Sequence, residues 1–179
     1  MTARPALPLA LLGLTLAALA LSGIGPHDRL TWWMETAPVF IGAALLIATW
    51  RRFPLTDLLY VLIFVHALVL MLGAHYTYAR VPLGFWAQEV FDLARNHYDR
   101  VGHFVQGFVP AIIAREILLR CSPLVRGWWL FAVSAVFCLA ISAFYEMIEW
   151  WAALIGACTA LVLLSKVHDR ALARLGIKA

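Results

Sequence analysis

Residues 57–73 read DLLYVLIFVHALVLMLG. Past Asp57 the run holds one basic side chain, His66, among residues that gain nothing from contact with water. A helix needs about 17–25 mostly apolar residues to cross the ~30 Å hydrocarbon layer of a bilayer, and this run has that length and character. The rest of the chain matches it. Of 179 residues, 64% are hydrophobic and 13% charged, and mean hydropathy is +0.85. Soluble domains carry about 25% charged residues, so this composition points to lipid as the solvent. The net charge of +4 does not imply nucleic acid. The basic residues sit between apolar runs and form no continuous face.

Four further apolar runs surround the first. One spans about Ala6–Ile24 and ends in SGIGP, a chain breaker. It is long for the apolar region of a signal peptide, so it reads as a retained span. The next is Trp32–Trp50 with Pro38 inside, and another is Asp99–Leu119. Gly127–Ser165 is almost unbroken, with Gly156 its one internal punctuation. As a single helix its 39 residues would reach about 58 Å, nearly twice the hydrocarbon thickness. Two spans with a tight turn near Ala153–Gly156 are therefore expected, merging into one helix if no turn forms.

Basic residues alternate between loops. Arg4, the pair Arg51 and Arg52, the pair Arg120 and Arg126, and the C-terminal Lys166, Arg170, Arg174 and Lys178 fall on one side. The loop GPHDRLT is neutral, and the segment after the third run balances Arg80, Arg95 and Arg100 against Glu89, Asp92 and Asp99. The positive-inside rule then predicts both termini in the cytoplasm. All eight tryptophans fall at expected span ends or in the outer loop, as an interfacial belt would. The expected fold is an all-α polytopic transmembrane helical bundle of about six spans, with residues 1–179 as one integral membrane domain. Residues 81–94, VPLGFWAQEVFDLA, mix aromatic and acidic residues as a short helix in the outer interface would.

With that orientation the polar residues collect at the outer end. Asp99, His103 and Gln106 stand at i, i+4 and i+7, on one face of a helix, and Ser142, Glu146 and Glu149 repeat the spacing. A charged residue at the bilayer centre costs ~2.5–3.5 kcal/mol on the lenient scale, so the stripes should face each other or a wet cavity. The candidate catalytic set is Asp99, His103, Glu146 and Glu149, as a proton relay or general acid–base pair. His97, His103 and Glu146 offer the donors that suit a divalent metal such as Zn²⁺ or Mn²⁺, without an H-E-x-x-H signature. His75, Tyr76, Tyr78 and Arg80 open the outer loop beside them.

Each feature also has a structural reading. Asp99 can cap its helix, and polar residues near span ends can pair to hold helices together. His66 reads as a hydrogen-bonded packing residue, Arg115 as a snorkelling side chain and Glu116 as the i+4 partner of Arg120. Cys121, Cys138 and Cys158 show no paired or metal-type spacing and read as small packing residues.

Three stretches, GAHYTYARVPLGFW, RNHYDRVGHFVQGF and SAFYEMIEWWAA, together resemble the YjdF family of bacterial inner-membrane proteins. The resemblance implies a multi-span inner-membrane protein and puts interest on His75, Tyr76, Tyr78, His97, Asp99, His103, Glu146 and Glu149; it implies no activity. A looser similarity, an Asp/His helix followed by a Glu-containing helix, is to VanZ-like membrane proteins. The chain departs from the first family after EWWAA, where members carry a Gly- and Asp-rich segment and this sequence passes straight through. The loss accounts for the 39-residue run, and it removes carboxylates from beside His103 and Glu146. The functional expectation is a periplasmic-side polar site acting on a membrane lipid or envelope precursor. The alternatives are a small proton-coupled permease and a structural membrane protein. Nothing in the sequence sets the oligomeric state.

Overall fold

The computed structural model describes residues 6–174, except the side chain of Glu149. Among the described residues six helices follow one another: α1 (Ala6–Ser22), α2 (Arg29–Thr49), α3 (Asp57–Tyr76), α4 (Pro82–Val90), α5 (Tyr98–Cys121) and α6 (Trp128–Arg174). No strand occurs among the described residues. By length and composition α2, α3 and α6 can each cross a membrane, and the 17-residue α1 is a shorter apolar helix. The chain divides into two compact units, Met1–Cys138 and Leu139–Ala179.

Local chemistry sets the helix ends. Asp28 caps α2, its carboxylate accepting from the Thr31 amide at 2.7 Å. Pro82 opens α4, where its missing N–H costs nothing. Asp57 lies in the first turn of α3, and Asp99 and Arg120 lie in the first and last turns of α5, each charge opposite in sign to the helix end it meets.

In the first unit α3 packs against α1, α2 and α5. Near its C-terminal end Leu19, Trp32, Val39, Ala67, Met71 and Ala74 form one buried cluster. Trp32, expected in the interfacial belt, is instead 7% exposed. Its Nε1 donates to Ser22 Oγ at 3.1 Å, so the ring ties α2 to the end of α1. A second cluster, Leu55, Leu59 and Tyr60, lies at the start of α3 against Ile112 and Ile113 of α5. There the Glu116 carboxylate accepts from the Thr56 amide at 3.2 Å and from its hydroxyl at 2.7 Å. Thr56 is the N-cap residue of α3 and makes no cap of its own, so a side chain from α5 serves that helix start. Arg120 completes the clamp, donating to Glu116 at 2.9 Å and to Pro54 O at 2.6 Å while lying over the Phe53 ring. The i+4 pair expected at Glu116 and Arg120 is therefore present.

The last two apolar stretches are merged. α6 runs 47 residues without a break at Ala153–Gly156, a length of about 70 Å at 1.5 Å per residue. No proline interrupts it, and a lone interior glycine weakens a helix by only ~1 kcal/mol. Trp150 and Trp151, expected at a span end, consequently lie mid-helix and exposed.

Two glycines on α5 differ sharply in surroundings. A Cβ at Gly102 would lie 2.9 Å from Tyr78 Cε1, whereas one at Gly107 would meet nothing within 4 Å. Gly102→Ala is expected to lower the thermal unfolding temperature in detergent through overpacking of ~1–3 kcal/mol, while Gly107→Ala should leave it level or raise it by helix propensity. Equal effects of the two substitutions would contradict this packing.

Candidate functional site

The C-terminal end of α3 and the N-terminal end of α5 carry most of the expected site residues. Thr77 and Tyr78 follow α3 with φ of 57° and 46°, in the left-handed region that non-glycine residues seldom occupy. Tyr78 N–H donates to Gly73 O at 2.8 Å, the closure of a Schellman turn, with threonine and tyrosine where glycine is favoured. The reversal swings the Tyr78 ring over Gly73, where an added Cβ would sit 2.5 Å from Cε1. The same ring reaches Gly102 on α5 and tilts against Tyr98 at a centroid distance of 6.0 Å. Tyr98 is 4% exposed and donates its hydroxyl to Val69 O at 3.2 Å, joining α5 to α3 a second time.

Asn96 anchors the intervening α4. Buried among backbone groups, it donates Nδ2 to Val81 O at 2.9 Å and accepts the Tyr98 amide on Oδ1 at 3.0 Å. It packs so closely on Gly84 that a Cβ there would lie 2.5 Å from its Cγ. Neither Asn96 nor Tyr98 stands out by charge or spacing. The signal for Asn96 was its place just before a helix, where a short amide can bond backbone on both sides.

Other expected residues serve the frame. His75 donates Nδ1 to Ser22 O at 2.8 Å and meets the Tyr76 ring edge-on at 4.6 Å. Its carbonyl accepts the His27 amide at 2.9 Å. Arg80 hydrogen-bonds His27 Nε2. Beside them the Thr31 amide holds the Asp28 carboxyl below the ordinary carboxylate range. That cap therefore stabilises α2 at neutral pH and is lost as pH falls through the lowered value.

His97 and Asp99 are different. His97 is the N-cap residue of α5 but makes no side-chain cap, and its Nδ1 is buried with no hydrogen-bond partner. Asp99 shares Oδ2 with Arg95 at 3.3 Å, a partly exposed pair worth little, while Oδ1 is buried and unpaired. Asp99 is thus not the cap that its structural reading supposed. On the same helix Gln106 is half-buried and His103 exposed. Glu146 belongs to the second unit and is exposed, and the side chain of Glu149 lies outside the described residues. Among the described residues no three His, Cys, Asp or Glu side chains are grouped so as to hold a metal ion. The metal expectation for His97, His103 and Glu146 gains no support there. His66 departs from its expectation as well, since its buried Nε2 makes no hydrogen bond.

A family model described as "Predicted membrane protein (DUF2238)" matches residues 7–170. The chain belongs to the DUF2238 family. One relative is the Escherichia coli (strain K12) inner membrane protein YjdF, 49% identical over 185 aligned residues, covering 87% of this chain and 88% of the relative. Eighty-seven per cent of 179 residues is about 156, so about 29 of the 185 aligned positions have no counterpart in this DUF2238 member. No solved structure matches.

Proposed function

We propose that this DUF2238 protein is a multi-pass protein of the bacterial inner membrane with a polar site at the periplasmic membrane surface, acting on a lipid head group or envelope precursor. The observation that carries the reading is the pair of buried, unpaired atoms His97 Nδ1 and Asp99 Oδ1, two residues apart in sequence on one rigid frame. A buried polar atom without a partner costs ~1–3 kcal/mol, and fixed groups with free hydrogen-bonding capacity suit a substrate. An imidazole and a carboxylate so placed can move a proton as general acid and base. His103 and Gln106 extend the stripe along α5. Glu146 and Glu149 enter on sequence spacing alone, and α4 is read as an interfacial cover.

The orientation follows from charge. Arg51, Arg52, Arg120 and Arg126 flank the Thr56–Glu116 end, whereas the Tyr78–Asp99 end carries both signs, so the first faces the cytoplasm and the second the periplasm. The basic residues from Lys166 onward favour both termini inside, which requires six crossings and hence a turn within the membrane in the helix that is continuous here. Left unbroken, α6 crosses once, for five crossings and a periplasmic C-terminus. A second reading, a small proton-coupled permease, draws on His66, an intramembrane ionisable residue with an unpaired nitrogen.

Two measurements test these statements. In a strain lacking the gene, lipids and lipid-linked envelope precursors are profiled by mass spectrometry as variants are restored. His97→Ala and Asp99→Asn should fail to restore the wild-type profile at normal membrane abundance, and His66→Leu should restore it. Restoration by all three variants, or a profile unchanged by loss of the gene, rejects the enzyme reading; failure of His66→Leu alone favours the carrier. Separately, alkaline phosphatase fused at Ala179 should be inactive. Activity there would reject two cytoplasmic termini and favour five spans with α6 crossing once.

A further inference from the structure

Between α1, α2, α3 and α5 lies a cavity of about 820 Å³, at the top of the ~300–1,000 Å³ range of small-molecule sites. Its shape has local causes. Near the C-terminal end of α3, Leu19, Trp32 and Met71 close the packing. Toward the other end Pro38 in α2 and Pro110 in α5 both line the cavity, each a residue that removes a helix hydrogen bond and bends its helix. Gly42 and Ala43 of α2 also line it, and a Cβ at Gly42 would meet nothing within 4 Å. The wall is otherwise almost wholly apolar, with Leu11, Leu46 and Phe64, and with Trp50 and Arg51 at one end.

From Pro38 to Arg51 the cavity follows thirteen residues of chain, about 20 Å at 1.5 Å per residue. That is close to the ~15 Å depth of one hydrocarbon leaflet. On α3 its lining passes His66, mid-way along the helix, and ends at Leu70, and its near end is the exposed guanidinium of Arg51. We infer that this cavity binds one anionic phospholipid from the leaflet on the Arg51 side, an acyl chain filling the space beside Gly42 and the phosphate meeting Arg51. Apolar walls on several sides distinguish such a lipid from annular lipid, which touches one face only. Arg51 supplies the charge that favours an anionic head group. This site lies on the opposite half of α3 from His97 and Asp99 and does not depend on their role.

The test uses the purified full-length chain in detergent, delipidated and offered palmitoyl-oleoyl phosphatidylglycerol and phosphatidylethanolamine, with bound lipid counted by native mass spectrometry. Wild type should keep one phosphatidylglycerol, preferred about fivefold, the factor one exposed charge contact of ~1 kcal/mol supplies. Arg51→Gln should bring the two lipids to parity. Gly42→Leu, which fills the open space, should lose the bound lipid with its unfolding temperature unchanged or raised. Retention by Gly42→Leu equal to wild type would mean annular lipid only and overturn the site. A measurement on the unfilled cavity guards against a misfolded variant: phosphatidylglycerol brominated along its acyl chain should quench a fluorescence component that is absent from Trp50→Phe. Quenching identical in the two proteins would equally overturn it.

Discussion

The first unit is organised by one aromatic ring in a notch made of two glycines. Tyr78 leaves α3 through a left-handed turn and lays its ring against Gly73 behind it and Gly102 on α5. Neither glycine has room for a methyl group at that point. Two left-handed residues in succession are unfavourable by ~1–2 kcal/mol each, so the turn holds only because packing repays the strain. What it secures is the approach of α5 to α3, which brings Tyr98 within reach of Val69 O and sets Asn96 under α4.

The other end of the same helix pair is held by different chemistry. Glu116 serves the start of α3 from across the interface, with Arg120 bridging it to Pro54. Such charge-assisted bonds contribute more than neutral ones, especially where water is scarce. Between the two fixed ends α1 and α2 each lean on α3, and Pro38 with Gly42 leaves the large apolar cavity on one half of it. α3 is therefore a strut with a polar frame at one end and an apolar hollow along the other half. The unsatisfied nitrogen of His97 and oxygen of Asp99 sit on the braced end, which would supply the fixed geometry that the proposed site needs.

Much of this was legible in the sequence, for identifiable reasons. Hydrophobic runs ending at SGIGP, before Arg51 and Arg52, and at Gly73 mark α1, α2 and α3 within a few residues, because span length is a direct consequence of bilayer thickness. The pairing of Glu116 with Arg120 follows from i+4 spacing, but the bond from Thr56 to Glu116 joins residues sixty apart, which no local pattern encodes. Trp32 shows the limit of composition. Its position near a helix end fits an interfacial belt, yet its contact with Ser22 places it in the core. The notch around Tyr78 was equally hidden, since Gly73 and Gly102 look like ordinary helix glycines until the turn between them is known. Within the candidate site the stripe of Asp99, His103 and Gln106 was readable from helical period, whereas the isolation of His97 Nδ1 depends on neighbours far along the chain.

A double-mutant cycle on unfolding free energy in detergent tests whether the Tyr78 ring occupies the space a side chain at Gly73 would need. Gly73→Ala in the wild-type background should destabilise by ~1–3 kcal/mol, because the ring must move. In a Tyr78→Ala background the same substitution should be neutral or stabilising, as alanine is the better helix former by ~1 kcal/mol. The difference between the two is the coupling energy of the notch. An identical loss in both backgrounds would show that the ring is not what fills that space and would contradict the account.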